Sequence, residues 1–165
     1  MSNEAVSRVQ TLLQGARFAL SAPSSTELPE DNGAEIAFVG RSNSGKSSAI
    51  NALCGRRSLA RISKTPGRTQ QLVVFDLDEN RRLIDLPGFG YAKVSKSIRA
   101  HWERVLPEYL ESRRSLVGLI IVMDVRHPLK EQEAVLIDWC VKSGRKAHVL
   151  LNKSCLLYTS TSPRD

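Results

Sequence analysis

Gly40-Arg41-Ser42-Asn43-Ser44-Gly45-Lys46-Ser47 is the stretch that decides the fold of this 165-residue chain. It has the form G-x-x-x-x-G-K-S, which is typical of a phosphate-binding P-loop. In such a loop, successive backbone N–H groups point inward around anionic oxygens, and the following helix presents its positive N-terminal end. The pattern predicts that Lys46 reaches the β- and γ-phosphates of a nucleotide and that the Ser47 hydroxyl holds Mg²⁺.

The residues on either side of this loop fit the interpretation. Residues 34–39 (AEIAFV) form an apolar run with the composition of a strand, and residues 48–53 (SAINAL) favour a helix. A P-loop requires the order strand, loop, helix, and that order is present.

The rest of the chain continues the alternation of strands and helices. Residues 72–77 and 81–85 predict a β-hairpin with a short polar turn. The elements predicted after the hairpin are a helix at 97–114, a buried strand at 116–125, a helix at 129–141 and a buried strand at 147–151. Pro107 is expected to kink or interrupt the first helix, and residues 5–22 follow no single pattern. The predicted fold class is α/β, a three-layer P-loop NTPase fold with a mainly parallel sheet, one antiparallel hairpin strand and flanking helices.

A second motif, Asp85-Leu86-Pro87-Gly88, follows the predicted strand 81–85. Asp85 is expected in or next to the ligand shell of Mg²⁺, and the Gly88 N–H can bond the γ-phosphate. Loss of that phosphate would then release the segment that follows. Between the two motifs lie Thr65 and Thr69, and the spacing allows either of them to close over the metal.

Composition restricts the class of protein. The hydrophobic content of 41% and the charged content of 25% are ordinary for a soluble globular protein, and the net charge of +7 favours an acidic partner, with nucleic acid first. A basic surface can also serve solubility alone. Three cysteines without metal-type spacing fit free thiols in a reducing cytosol. No signal-peptide pattern is visible, and the longest apolar run, 116–123, is too short to span a bilayer, so a cytoplasmic protein without a membrane partner is expected.

Four segments together carry a more specific resemblance. They are GRSNSGKSSAIN at 40–51, SKTPGRTQ at 63–70, DLPGFGYA at 85–92 and MDVRHPLK at 123–130. Over roughly residues 16 to 153 the chain resembles the EngB family of bacterial GTP-binding proteins, in the Era-like branch. The resemblance implies a Ras-like G domain, acting as a monomeric GTPase on the precursor of the large ribosomal subunit and its rRNA, with a link to normal cell division and septation.

The resemblance also assigns residues to the site. It places the metal ligands on Ser47 and Thr69, so it favours Thr69 over Thr65, and it gives Lys46, Thr69 and Gly88 roles in hydrolysis. The residues implied in binding GTP or GDP are Gly40, Arg41, Ser42, Asn43, Ser44, Gly45, Lys46 and Ser47; Gly67, Arg68, Thr69, Gln70 and Gln71; Asp85, Leu86, Pro87 and Gly88; and Asn152 and Lys153.

The guanine-recognition segment departs from the family pattern. The family has T/N-K-x-D, whose Asp accepts two hydrogen bonds from the guanine edge, whereas this chain has Asn152-Lys153-Ser154-Cys155. A thiol is a weak acceptor and does not replace a carboxylate. Residues 154–165 do not resemble the family, so the chain is interpreted as an N-terminal extension (1–22), a GTPase domain lacking its C-terminal part (23–153) and a non-native tail (154–165).

The chemistry of hydrolysis leaves some roles open. Ras-like enzymes orient the attacking water with a Gln just after D-x-x-G, and apolar Phe89 stands there, so slow intrinsic hydrolysis is expected. Asn43 either helps to bind K⁺, as in related GTPases with Asn at this position, or caps the loop through the backbone. His127 is expected to have a structural or partner-facing role.

Two other functions are compatible with a P-loop, and one surface feature has two possible roles. The alternatives are a non-catalytic, nucleotide-dependent rRNA-binding module and a P-loop ATPase or kinase; the Asp85 motif and Asn152-Lys153 argue against the last. A basic cluster can contact rRNA phosphates or form a solvated face. Its members are Arg56, Arg57, Arg61, Lys64 and Arg68.

Overall fold

The computed structural model describes residues 3–60, 71–90 and 95–156. Four helices are present in this part of the chain: α1 (Asn3–Gln14), α2 (Lys46–Leu53), α3 (Lys96–Ser112) and α4 (Glu131–Ser143). Six strands accompany them: β1 (Arg17–Ala22), β2 (Ala34–Gly40), β3 (Leu72–Asp76), β4 (Arg81–Asp85), β5 (Leu116–Asp124) and β6 (Lys146–Asn152). Short 3₁₀ turns lie at Ser25–Glu27 and Ser154–Leu156.

The strands form one sheet in the order β1-β3-β4-β2-β5-β6. Strands β4, β2, β5 and β6 pair in parallel, and β3 runs antiparallel to both of its neighbours, β1 and β4. The predicted mainly parallel sheet with one reversed strand is therefore confirmed. The sequence pattern did not find β1, because this edge strand buries only Ala22 and leaves Phe18 59% exposed, so no alternation marks it.

The helices cover both faces of the sheet and complete the three layers. On one face, Val39, Ile84 and Ile121 pack with residues of α3 and α4, such as Tyr109 and Leu136. On the other face, the strand residues Phe38, Phe75 and Val122 pack with Ile50 of α2 and with Ala16, which follows α1. Apolar side chains alternate between these two faces along β2, with Ala37 and Val39 on one face and Phe38 on the other, which is why an apolar strand fits the centre of the sheet.

The prediction that strand 147–151 is buried is wrong, and one of the two alternatives predicted for Pro107 is excluded. Residues 147–151 form a strand as predicted, but β6 is not buried: it pairs only with β5 among the described residues, and Leu151 is 53% exposed. Pro107 does not interrupt α3, which runs through it as one helix of 17 residues. Burial of Val105, Tyr109 and Leu110 holds the turns on both sides of Pro107.

A buried ion pair lies at the amino end of the parallel strands. The Glu35 carboxylate, near the start of β2, is 0% exposed and accepts hydrogen bonds from Arg113 Nη2 at 2.6 Å and Nε at 3.0 Å. The Tyr109 hydroxyl also donates to Glu35, at 3.1 Å. Burial raises the pKa of Tyr109 above its usual value, and the neighbouring Glu35 carboxylate raises it further.

The cysteines have free thiols, and no helix in the part of the chain that the structure describes is suited to span a membrane. Cys54, Cys140 and Cys155 are all free, and burial raises the pKa of the Cys54 and Cys140 thiols. None of the helices in the described ranges combines the length and apolar character that crossing a bilayer requires.

Candidate functional site

The candidate site lies where four neighbouring parallel strands end. Strand β2 ends at Gly40, where the P-loop begins, and β4 ends at Asp85, which is in register with Phe38 of β2. On the other side of β2, the last residues of β5 and β6 are Asp124 and Asn152, which are paired with each other. In parallel α/β sheets, the carboxyl ends of the strands form the ligand-binding edge.

Gly45 allows Asn152 to approach the P-loop closely. Its backbone has φ +90°, and a Cβ there would lie 2.0 Å from Asn152 Nδ2. Because Gly45 has no Cβ, the Asn152 amide can occupy this space, where it donates to the Ser44 carbonyl at 3.1 Å and to the Gly45 carbonyl at 3.4 Å. The second glycine of the P-loop is therefore required for two reasons: it adopts the left-handed conformation before α2, and it leaves space for the Asn152 side chain against the loop.

Lys46 and Asp85 face each other at the phosphate end of the site. The Lys46 ammonium donates to the Asp85 carboxylate, and both side chains are largely buried. Each group belongs to a different motif, so the ion pair shows that the fold brings the P-loop and the D-x-x-G segment together. The cation and the carboxylate are the groups that would meet a phosphate and its metal ion.

The donor chemistry here fits Mg²⁺. The available groups are the Ser47 hydroxyl in the first turn of α2 and the Asp85 carboxylate, both hard oxygen donors. The described residues contain no group of three or more His, Cys, Asp or Glu side chains that could hold a metal by themselves. Mg²⁺ suits such a site, because it is commonly held by one or two protein oxygens together with nucleotide phosphates and water.

Ser47→Ala is expected to raise the Mg²⁺ concentration needed for nucleotide binding by about tenfold. One hydroxyl ligand is lost, whereas the backbone N–H groups around the phosphates remain. Titration of a fluorescent GDP analogue at a series of Mg²⁺ concentrations measures the effect. Ser48→Ala, on the exposed side of the same helical turn, is the matched control and is expected to behave as the wild type. Equal Mg²⁺ dependence in all three proteins would contradict the assignment.

The P-loop is directly linked to the segment that follows Gly88. Ser42 N–H donates to the Phe89 carbonyl at 2.8 Å, and Phe89 N–H donates to the Gly40 carbonyl at 3.2 Å. The Phe89 side chain is buried in the core, so it cannot orient a water molecule. A change at the phosphates can therefore be transmitted to the backbone after D-x-x-G through these two hydrogen bonds.

Lys153 bridges the P-loop and Asp124, a residue to which the sequence interpretation assigned no role. Its ammonium donates to the Asn43 carbonyl of the P-loop and lies 3.2 Å from Asp124 Oδ2. Asp124 accepts from Arg126 Nε at 2.9 Å and Nη2 at 2.6 Å. These hydrogen bonds from Arg126, followed by those from Lys153, hold the pKa of the Asp124 carboxyl well below its usual range. The position of Asp124 at a strand end, beside the end of β2, is the signal that could have identified it.

The structure brings together the predicted site residues that it describes in the P-loop (40–47), in the segment 85–88 and at Asn152 and Lys153. Gln71 is exposed at the start of β3, and Gly67, Arg68, Thr69 and Gln70 lie outside the described residues, as does Thr65. In the basic cluster, Arg56 and Arg57 are exposed, whereas Arg61, Lys64 and Arg68 lie outside the described residues. Asn43 adopts φ 63°, and its side chain is exposed.

A P-loop that contacts both the aspartate of a D-x-x-G segment (Asp85) and an Asn-Lys pair (Asn152 and Lys153) defines a G domain. A family model described as "50S ribosome-binding GTPase" matches residues 35–153. "Probable GTP-binding protein EngB" of Xanthomonas campestris pv. campestris (strain 8004) is 52% identical over 143 residues, covering 87% of this chain and 69% of that protein. The protein of the same name from Coxiella burnetii (strain RSA 331 / Henzerling II) is 53% identical over 141 residues, covering 86% and 69%. The chain belongs to the EngB family of GTP-binding proteins, whose activity is GTP hydrolysis.

Solved structures agree with this fold. The crystal structure of a probable GTP-binding protein engB superposes with a TM-score of 0.59 at 23% identity, covering 78% of this chain and 74% of that one. An S. thermophilus NFeoB mutant bound to GDP gives a TM-score of 0.51 at 25% identity, covering 78% and 47%. GTP and GDP are thus the ligands of this class of site.

Proposed function

We propose that this chain is a GTP-hydrolysing switch that acts in the cytoplasm, as a monomer, on the precursor of the large ribosomal subunit. The linkage from the P-loop through Ser42 and Phe89 to the backbone after D-x-x-G carries the proposal, because it connects the phosphate site to a neighbouring segment. The family description "50S ribosome-binding GTPase" and the net charge of +7 support a ribosomal RNA partner. The resemblance to the family is the support for a role in cell division and septation.

Within this function the residues have distinct roles. Lys46 would neutralise charge on the β- and γ-phosphates, Ser47 and Thr69 would hold Mg²⁺, and the Gly88 N–H would bond the γ-phosphate. Asn152 and Lys153 brace the P-loop from the β6 side through Ser44 and Asn43. Phe89 supplies no hydrogen bond to water, so turnover is expected to depend on an added activator.

K⁺ is expected to support faster GTP hydrolysis than Na⁺, and isolated large ribosomal subunits are expected to accelerate it further. Asn43 is the residue proposed to bind the cation, which would supply the positive charge that other GTPases take from an arginine. Phosphate release measured in matched KCl and NaCl buffers, with and without subunits, tests both statements. Equal rates in the two salts would remove the role of the cation.

The buried Phe89 also favours a second candidate, a nucleotide-dependent rRNA-binding module in which turnover is incidental. The same experiment separates the two functions. Acceleration by large subunits supports the switch, whereas nucleotide-dependent subunit binding without acceleration supports the binding module.

A further inference from the structure

A cleft of about 400 Å³ opens beside the P-loop, on the side of the loop that joins β5 to α4. Its walls include residues 41–44 of the P-loop, Asp124 at the end of β5, and Lys130 and Glu133 at the start of α4. The joining loop contributes Arg126 and His127, and Lys153 completes the wall. The nucleotide roles described above do not use Arg126, His127 or Lys130.

The two carboxylates of this cleft are both hydrogen-bonded. Asp124 is paired with Arg126 and Lys153, as described above. Glu133 is buried and accepts a hydrogen bond from the Lys130 backbone N–H at 2.8 Å. Four cationic side chains stand against these two carboxylates in the lining, so the formal charge of the cleft is positive; they are Arg41, Arg126, Lys130 and Lys153.

Three basic side chains remain. Arg41, His127 and Lys130 line the cleft, and none of them is paired with a carboxylate among the described residues. Because the Arg41 and Lys130 cations of this concave surface reinforce one another's potential, the cleft favours an anion. The mixture of guanidinium, imidazole and ammonium donors suits the oxygens of a phosphate group.

The loop that presents these side chains is fixed by hydrogen bonds that its backbone N–H groups donate. Arg126 N–H donates to Asp124 Oδ1 at 3.1 Å, and His127 N–H donates to the Asp124 carbonyl at 2.9 Å. Val125 N–H donates to the Asn152 carbonyl at 3.0 Å. The cleft is thus formed before a ligand arrives, which reduces the entropy lost on binding.

We propose that this cleft binds a phosphate of an RNA backbone. The inference rests on the proposed function, since it names the place on this chain where an RNA partner docks. RNA is favoured over an acidic peptide because the family model that matches this chain is described as a "50S ribosome-binding GTPase", and because the chain as a whole carries a net charge of +7. Arg41 and Lys153 line this cleft and are also among the residues expected to bind the nucleotide, so the RNA would lie next to the nucleotide.

Lys130→Ala is expected to weaken binding of a short fluorescent oligouridylate by about fivefold at about 0.1 M KCl, and to make the slope of log K against log salt concentration shallower by about 0.7. Fluorescence anisotropy at a series of KCl concentrations measures both quantities. His127→Ala is expected to weaken binding in the same direction. Lys146→Ala, at the opposite end of β6 from the cleft, is the matched control for the loss of one exposed lysine and is expected to bind as the wild type.

The outcomes distinguish this inference from the proposed function. Fluorescent GDP should bind equally to wild type and Lys130→Ala, which shows that the variant is folded. Wild-type RNA affinity and salt slope in Lys130→Ala would overturn the inference, as would a polyglutamate peptide that binds with the same dependence on Lys130. Loss of RNA binding in the variant supports the inference even if large subunits fail to stimulate hydrolysis, a result that would count against the proposed function alone.

Discussion

Arg113→Ala is expected to lower the free energy of unfolding by about 3–5 kcal/mol. The substitution removes the Nη2 and Nε donors at 2.6 and 3.0 Å from Glu35 and leaves that carboxylate buried. The remaining neighbours are the Tyr109 hydroxyl at 3.1 Å and Arg82 Nη1 at 3.6 Å, which do not replace a bidentate guanidinium. The loss is therefore mainly the cost of a buried, poorly compensated charge.

Urea unfolding followed by circular dichroism measures this effect, and the adjacent residue provides the control. Arg114 is 89% exposed on its side chain and pairs with Asp31 at 3.5 Å, so Arg114→Ala is expected to change stability by less than about 1 kcal/mol. The double variant Glu35→Gln, Arg113→Met removes both charges and is expected to recover part of the loss. A destabilisation in Arg113→Ala no larger than that in Arg114→Ala would show that the buried pair does not have this role.

The sequence was sufficient to predict the central part of the fold because local and long-range signals agree there. The run 34–39, the P-loop and the helix after it have their expected conformations, since the glycines of the loop and the apolar strand each favour the same arrangement. The edges were harder to predict. A strand at the edge of a sheet, such as β1 or β6, need not be buried. Its position in the sheet therefore cannot be predicted from its apolar content or from the spacing of its apolar residues.

The candidate site likewise contains one contact that could be predicted from the sequence and one that could not. The contact between Lys46 and Asp85 could be predicted, because the P-loop follows β2 and Asp85 ends β4, and the carboxyl ends of parallel strands lie at the same edge of a sheet. The partnership of Asp124 with Lys153 could not be predicted with the same force, because an aspartate after a strand is equally typical of a simple turn. Only the register of β5 with β6, which pairs Asp124 with Asn152, brings the two groups together.

A second large effect is expected at Cys155, which lies exposed in the turn Ser154–Leu156 with a free thiol. Guanine offers two N–H donors on one edge that a carboxylate accepts together, and adenine lacks this pair, so a thiol at this position removes the main source of discrimination. We expect this chain to bind GDP and ADP with similar affinities. Cys155→Asp is expected to favour GDP by about a hundredfold, because each hydrogen bond to a charged group contributes about 1.5–3 kcal/mol.

Isothermal titration of GDP and ADP against both proteins measures this discrimination, and two further variants locate its cause. Cys155→Asn has nearly the shape of the Asp variant but only one amide oxygen as acceptor, so it is expected to gain little preference. Lys46→Ala is expected to weaken GDP and ADP to the same extent, because Lys46 lies at the phosphate end beside Asp85. Strong preference for GDP in the chain with Cys155 would contradict the expectation and would mean that guanine is recognised by other groups. If only Cys155→Asp is selective, the phosphates determine how tightly this site binds and the residue at 155 determines which base it accepts.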